Sequence, residues 1–153
     1  MPVQRIPDGY TGVTPYLIVR DAAQALDFYR QAFGATETMR LTGPDGVVGH
    51  AEFRIGQGAV MLAQEMPGYS GPQTLGGTPV SMHFYTEDVD ALYARAVAAG
   101  ATAKRPVEDQ FYGDRAGTLV DPFGHIWMLA THIEDVSDDE MQRRFMKLYG
   151  GGE

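Results

Sequence analysis

Two kinds of apolar spacing alternate along this chain, and the whole cycle comes round twice. Residues 16–19 form a short β-rich run after Pro15, and residues 80–86 answer it, so both read as strands. A helical stripe follows each. Residues 21–33 set Leu26, Tyr29 and Phe33 on one side, and residues 88–99 do the same with Val89, Leu92 and Ala96. Gly34 and Gly100 stand where C-terminal caps belong. Alternating runs then resume as three strands in each half. In the first they cover residues 36–42, 47–55 and 59–64, with a Gly-Pro-Asp-Gly turn at 43–46. In the second they cover 102–107, 115–120 and 126–130.

The recurrence extends to the residues themselves. Residues 14–36 (TPYLIVRDAAQALDFYRQAFGAT) lie over residues 80–102 (VSMHFYTEDVDALYARAVAAGAT) without a gap, pairing Ala25 with Ala91, Leu26 with Leu92 and Ala32 with Ala98. A duplicated unit of this size cannot bury its apolar face alone, so the two copies are expected to share one core, with a small-molecule site at their seam. Module one then spans about 14–65 and module two about 80–132 of a single domain, 1–153. The Gly/Pro-rich stretch 65–79 (EMPGYSGPQTLGGTP) joins them as a linker or as a flap over the site. Beyond the second module, Ser137 and Glu140 make a capping-box pattern, and Met141, Phe145 and Leu148 recur at helical spacing over about 137–149. That stripe needs a cover, either the chain's own sheet or a second copy.

Composition narrows the classes. At 153 residues the chain is long enough to bury roughly 70% of its unfolded surface. It contains no cysteine, which removes disulfides, thiol nucleophiles and thiolate metal sites. The first twenty residues lack the pattern of a secretory leader, and no apolar run approaches the roughly 20 residues of a membrane span. A cytoplasmic protein is expected. A formal charge of −8 without a basic cluster argues against nucleic acid and anionic membranes as partners.

Four phrases carry a family resemblance: QFYGDR at 110–115, DPFGH at 121–125, ATHIED at 130–135 and DDEMQRR at 138–144. With the doubled βαβββ pattern, they resemble the PhnB-like branch of the vicinal oxygen chelate superfamily, the glyoxalase, bleomycin-resistance and dioxygenase group. The resemblance implies an α+β fold in which two βαβββ modules form paired curved sheets around a cup, each helix outside its own sheet, and a C-terminal helix follows. It also implies a homodimer. It does not imply one reaction, because the fold serves several chemistries and non-catalytic binders. Metal-dependent members draw four His or Glu ligands from the first and last strands of the two modules. Here the first strand has no His, Glu or Asp, residues 59–64 offer only Gln64 before Glu65, and residues 126–130 offer none. His83 alone is of the right type, two residues past the aligned position near Ser81. No cofactor is therefore expected; a divalent metal would require a displaced set drawn from His50, His83, Glu65 and His132.

The cup lining follows from strand parity. In residues 47–55, Ala51, Phe53 and Ile55 face one way and His50, Glu52 and Arg54 the other; the apolar set should meet the helix. By the same parity Ser81, His83 and Tyr85 look inward from module two. His83 and Glu52 are the candidate catalytic pair for proton transfer, and His50, Arg54, Tyr85, Phe111, Tyr112 and Arg115 the candidate substrate-binding set. Arg115 is expected to pair with Glu52 or Glu65, and Asp114 to hold its loop. Asp121, Gly124 and Trp127 are assigned to turn geometry and core. The reading is a small, planar metabolite bound in the cup, with metal-independent isomerase or lyase chemistry if the protein is an enzyme. The alternatives are sequestration of a drug-like compound, and a metal-dependent lyase or dioxygenase with displaced ligands. Methyltransfer is disfavoured: no glycine-rich loop joins an early strand to a helix, and the glycine run 150–152 closes the chain.

Overall fold

The computed structural model describes residues 2–150, so the glycine run at the end lies largely outside the described residues. Module one runs β1 (Tyr16–Val19), α1 (Ala22–Phe33), β2 (Thr36–Thr42), β3 (Val48–Ile55) and β4 (Gly58–Gln64). A short helix, α2 (Pro72–Leu75), sits in the linker. Module two repeats the order as β5 (Ser81–Tyr85), α3 (Val89–Ala99), β6 (Thr102–Asp109), β7 (Asp114–Val120) and β8 (Ile126–His132), followed by α4 (Asp138–Tyr149). Each module closes a four-stranded sheet by laying its first strand parallel to its last, in the orders β1-β4-β3-β2 and β5-β8-β7-β6. Among the described residues no helix is long and apolar enough to cross a membrane.

The helices start and stop for local reasons. Asp21 and Asp88 accept hydrogen bonds from Gln24 N and Ala91 N, filling orphan donors of the first turns. Gly34 (φ 67°) ends α1 in the left-handed region, where a side chain would be strained. At α4 only half of the expected capping box forms. Ser137 accepts from Glu140 N, but the Glu140 carboxylate turns instead to Arg143 and Arg144, whose charges outbid a backbone N–H.

The two modules share one core, in which α1 is enclosed between the sheets while α3 packs against α1 and its own sheet. This corrects the expectation that each helix lies outside its own sheet. Tyr29 of α1 stacks on Phe53 of its own sheet (5.1 Å between ring centroids) and also meets Trp127 of the other (5.4 Å). Phe33 reaches Phe84 and Trp127 in the same way. Polar bonds also tie the modules, among them the 2.6 Å bond from Arg95 Nε of α3 to Gln31 O of α1. Asp121, buried in the β7–β8 turn, accepts from Tyr29 Oη (2.5 Å), Trp127 Nε1 (2.9 Å) and the backbone N–H groups of Phe123 and His125. Beside it, His125 Nε2 bonds Ile18 O in β1 (2.9 Å). Burial and the neighbouring Asp121 carboxylate push the Tyr29 phenol well above its ordinary range, so it remains a donor.

With one face of each sheet committed to the shared core, strand alternation turns the other face away from it. These two open faces carry the polar residues of β3, β5 and β7.

Candidate functional site

On the open face of module one, β3 alternates as its pattern demands. Ala51 and Phe53 are buried against α1, and His50, Glu52 and Arg54 point the other way. Glu52 is nonetheless only 9% exposed, because the N-terminal stretch lies over it. The Tyr10 hydroxyl donates to Glu52 Oε2, and His50 Nε2 stands 3.1 Å from Oε1. His50 Nδ1 is 2.8 Å from the Tyr16 hydroxyl. Hydrogen bonds from Tyr10 and then His50 hold the Glu52 carboxyl below the usual carboxylate range, so it is an anion and an acceptor only. Arg54 donates to Gln57 O (3.2 Å) and spans the Tyr10 ring, 5.6 Å from its centroid. It thereby clamps the N-terminal stretch in place.

The open face of module two repeats the theme with different residues. Asp114, 3% exposed, accepts from Tyr85 Oη at 2.6 Å and lies 2.8 Å from His132 Nδ1. His132 Nε2 is 2.8 Å from Asp135. Both ring nitrogens thus face carboxylates, which favours the doubly protonated imidazolium; the bond to Asp114 first, then that to Asp135, raises the His132 pKa. A raised folded-state value means that this contribution to stability is full below the free imidazole value of about 6.5 and fades as pH rises through the folded value. The melting-temperature gap between the protein and His132→Gln should therefore be widest near pH 6 and shrink by pH 8. A gap that widens with pH would show that the imidazole is held neutral.

The His83 ring lies tilted against Tyr85 (5.1 Å between centroids), and no hydrogen bond joins it to either network. It lines a cleft of about 600 Å³ at the seam of the modules, with Gly9, Thr11 to Pro15, Ile55, residues 57–60 and Trp127. A second cleft, about 640 Å³, lies on the open face of module one between Tyr16, Ile18, Ala63, Met66 and Tyr69. Both fall in the size range of small-molecule sites. Of the residues expected to converge, His50 and Glu52 are bonded to each other, with Arg54 beside them. His83 and Tyr85 form a separate group. No hydrogen bond among the described residues joins the two sets.

Three candidates lie apart from both groups. Arg115 pairs with Asp90 (2.7 and 2.9 Å) and Asp109 (2.9 Å), not with Glu52 or Glu65. The reason is parity: Arg115 shares the helix-facing side of β7 with Leu119, beside α3 and Asp90, whereas Asp114 takes the open side. Glu65 instead accepts from Gly71 N at 2.6 Å and ties down the linker. Phe111 packs on Phe145 (5.9 Å) and Tyr149 (6.5 Å) of α4, with Tyr112 against its edge. Two functional-looking groups escaped sequence reading. Tyr10 sits in an aperiodic stretch with no register to place it, and Tyr16 reads simply as a β-former; only its parity, opposite Leu17 and Val19, was available as a signal.

The donor set does not fit a divalent metal. The open-face positions of the first and last strands hold Tyr16 and Ile18, Ala59, Met61 and Ala63, Ser81, His83 and Tyr85, and Ile126, Met128, Ala130 and His132: two imidazoles among apolar and hydroxyl groups, and His132 is held between Asp114 and Asp135. Among the described residues, no three His, Asp or Glu side chains come together as a metal cage. Of the displaced set, His50 and His132 are committed to carboxylates and Glu65 to the linker.

Comparison with known proteins agrees with this architecture. Residues 10–129 match the family model described as Glyoxalase/Bleomycin resistance protein/Dioxygenase superfamily. An uncharacterized protein of Mycobacterium bovis is 47% identical over 135 residues, covering 85% of this chain and 89% of its own. TioX from Micromonospora sp. ML1 superposes with a TM-score of 0.64 at 26% identity, over 83% of this chain and all of that one. The genomically encoded fosfomycin resistance protein FosX of Listeria monocytogenes shares the fold at 20% identity and a TM-score of 0.61, over 86% of this chain and 98% of that one.

Proposed function

The chain belongs to the glyoxalase/bleomycin resistance protein/dioxygenase superfamily, and from that membership we propose that it binds a small, partly planar metabolite on the open face of module one and moves a proton on it without a metal. The observation that carries this reading is the cleft between Tyr16 and Tyr69, which opens beside a histidine held by a buried carboxylate. Two aromatic rings and apolar walls suit a flat molecule; a half-buried histidine paired with a buried carboxylate suits acid–base work. Glu52 and His50 form the pair within reach, and His83 is the candidate contributed by module two.

We place the closing of the cup in a homodimer. In one chain the open faces look away from each other, and β1 and β5 are edge strands, bonded on one side only. Val80, next to the β5 edge, is 63% exposed. Pairing a second copy along these edges would cover both and set module one of one copy against module two of the other. The tail supports the same arrangement, because α4 buries none of its residues in the chain and leaves Phe145, Leu148 and Tyr149 exposed. Removing everything after Asp135 is expected to turn a dimer into a monomer in sedimentation velocity while the sheets stay intact. A truncated protein that remains dimeric would move the interface to the strand edges alone.

Binding is tested by a thermal-shift screen of phenols, aromatic acids and small carbonyl compounds, with bleomycin and fosfomycin included. A compound at a hundred times its dissociation constant stabilises by about 2.7 kcal/mol. We expect such a compound to lose its effect in Tyr69→Ala. A screen without any stabilising compound, or a hit indifferent to Tyr69, would refute the assignment. Turnover of the hit separates catalysis from sequestration.

A further inference from the structure

We propose that Tyr16 is the catalytic residue of the module-one face, its phenol oxygen taking a proton from the bound molecule as its own hydrogen passes to His50. The inference rests on the reading that a small molecule occupies this face.

The order of donors and acceptors fixes the direction of transfer. An ionised carboxylate only accepts, so His50 Nε2, 3.1 Å from Glu52 Oε1, carries the ring hydrogen. In the neutral ring Nδ1 is then a bare lone pair, and the group 2.8 Å away from it is the Tyr16 hydroxyl, placed to donate. Glu52, His50 and Tyr16 thus form the series in which a buried anion orients an imidazole and the imidazole activates a hydroxyl. Tyr10 occupies the second oxygen of Glu52 and keeps that carboxylate from swinging away. Tyr16 itself is half exposed and forms a wall of the cleft, with Ile18, Ala63, Met66 and Tyr69 around it. Its hydroxyl is the point at which the series reaches a ligand.

The step balances within the site. A C–H bond next to a carbonyl breaks, its electron pair staying on the molecule as an enolate. The proton bonds to the Tyr16 oxygen, and the former phenol hydrogen moves to Nδ1, leaving an imidazolium against the Glu52 anion. Running the transfer back onto a different carbon isomerises the compound, with no oxidant, metal or second substrate. The substrate class implied is a small carbonyl compound with an acidic neighbouring C–H.

Reactivity toward p-nitrophenyl acetate tests the relay without knowledge of the substrate. In that reaction the tyrosine oxygen bonds the acetyl carbon, p-nitrophenolate leaves and the phenol hydrogen goes to the base. Stable acetyl groups are mapped by peptide mass spectrometry. Tyr69 is the internal control: it lines the same cleft and is 61% exposed against 51% for Tyr16. A positioned base accelerates by on the order of a hundredfold, so Tyr16 should be acetylated at least about tenfold faster than Tyr69. In His50→Phe and in Glu52→Gln, Tyr16 should fall to the Tyr69 rate while Tyr69 is unchanged. Equal rates in the unmodified protein would overturn the proposal, as would a fast Tyr16 surviving in a folded His50→Phe. The first comparison needs no variant, so misfolding cannot shield the claim. A failed ligand screen with fast Tyr16 labelling removes the binding assignment and keeps the relay; a successful screen with slow labelling does the reverse.

Discussion

Replacing Asp121 by Ala should cost about 3–5 kcal/mol of stability and lower the melting temperature by roughly 10 °C or more. The carboxylate accepts from four donors: Tyr29 Oη, Trp127 Nε1, Phe123 N and His125 N. Two of them come from side chains that are fully buried, so no water stands ready to replace the anion. An unpaired buried donor costs about 1–3 kcal/mol, and the two backbone groups would lose the geometry of their turn as well. Asp121→Asn should cost less but still substantially. Its oxygen can serve the backbone pair, while its amide would point two hydrogens at Trp127 Nε1, which can only donate. Tyr29→Phe removes one bond and should cost about 1–2 kcal/mol. Urea unfolding followed by the emission of Trp127, the chain's single tryptophan, measures all three. A loss below about 1 kcal/mol for Asp121→Ala would mean that the Asp121 network adds little to the packing that holds the modules together.

Gly113→Ala should cost about 2–4 kcal/mol and loosen the tail before it unfolds the sheets. Gly113 has φ 94°, and a Cβ there would stand 2.2 Å from the Glu134 carbonyl oxygen. The left-handed placement accounts for about 1–2 kcal/mol; the rest is the displacement of a backbone segment. That segment matters because Ile133 N and Glu134 N both donate to Gly113 O, stapling the β6–β7 turn onto the chain that leaves β8. Glu134 in turn pairs with Arg144 of α4 at 2.8 Å. Pushing it away should speed hydrogen exchange in α4 amides. Gly46→Ala is the matched control, since φ is 80° there but nothing lies within 4 Å of the added carbon. Equal losses at both positions would show that only backbone conformation counts.

Much of the fold was legible because local rules decide it. Asp21 and Asp88 cap helices, Gly34 and Gly100 end them, and β3 alternates by its own side chains. The misplacement of α1 has a physical cause that the pattern contained. On α1 the buried set includes Phe28 as well as Tyr29, Ala32 and Phe33, an arc wider than the roughly 100° stripe of a helix covered on one side. A helix so covered must lie between two surfaces. Arg115 was legible too, two residues from Gly117 and four from Leu119 on the face that meets α3. What the sequence withheld was contact between distant segments without a period. Tyr10 reaches Glu52 across 42 positions from an irregular stretch, and no local rule encodes that register. The candidate site was therefore half visible: His50 and Glu52 stood out as an acid and a base on an inward face, while the two tyrosines that join them did not.

The most direct measurement is the affinity of a compound from the stabilising screen, determined by calorimetry first in excess EDTA and then with Zn, Ni, Mn or Fe added back. A metal-free small-molecule site predicts the same dissociation constant in both, with less than one equivalent of transition metal in the purified protein. Binding that vanishes with EDTA and returns with one equivalent of metal would contradict it.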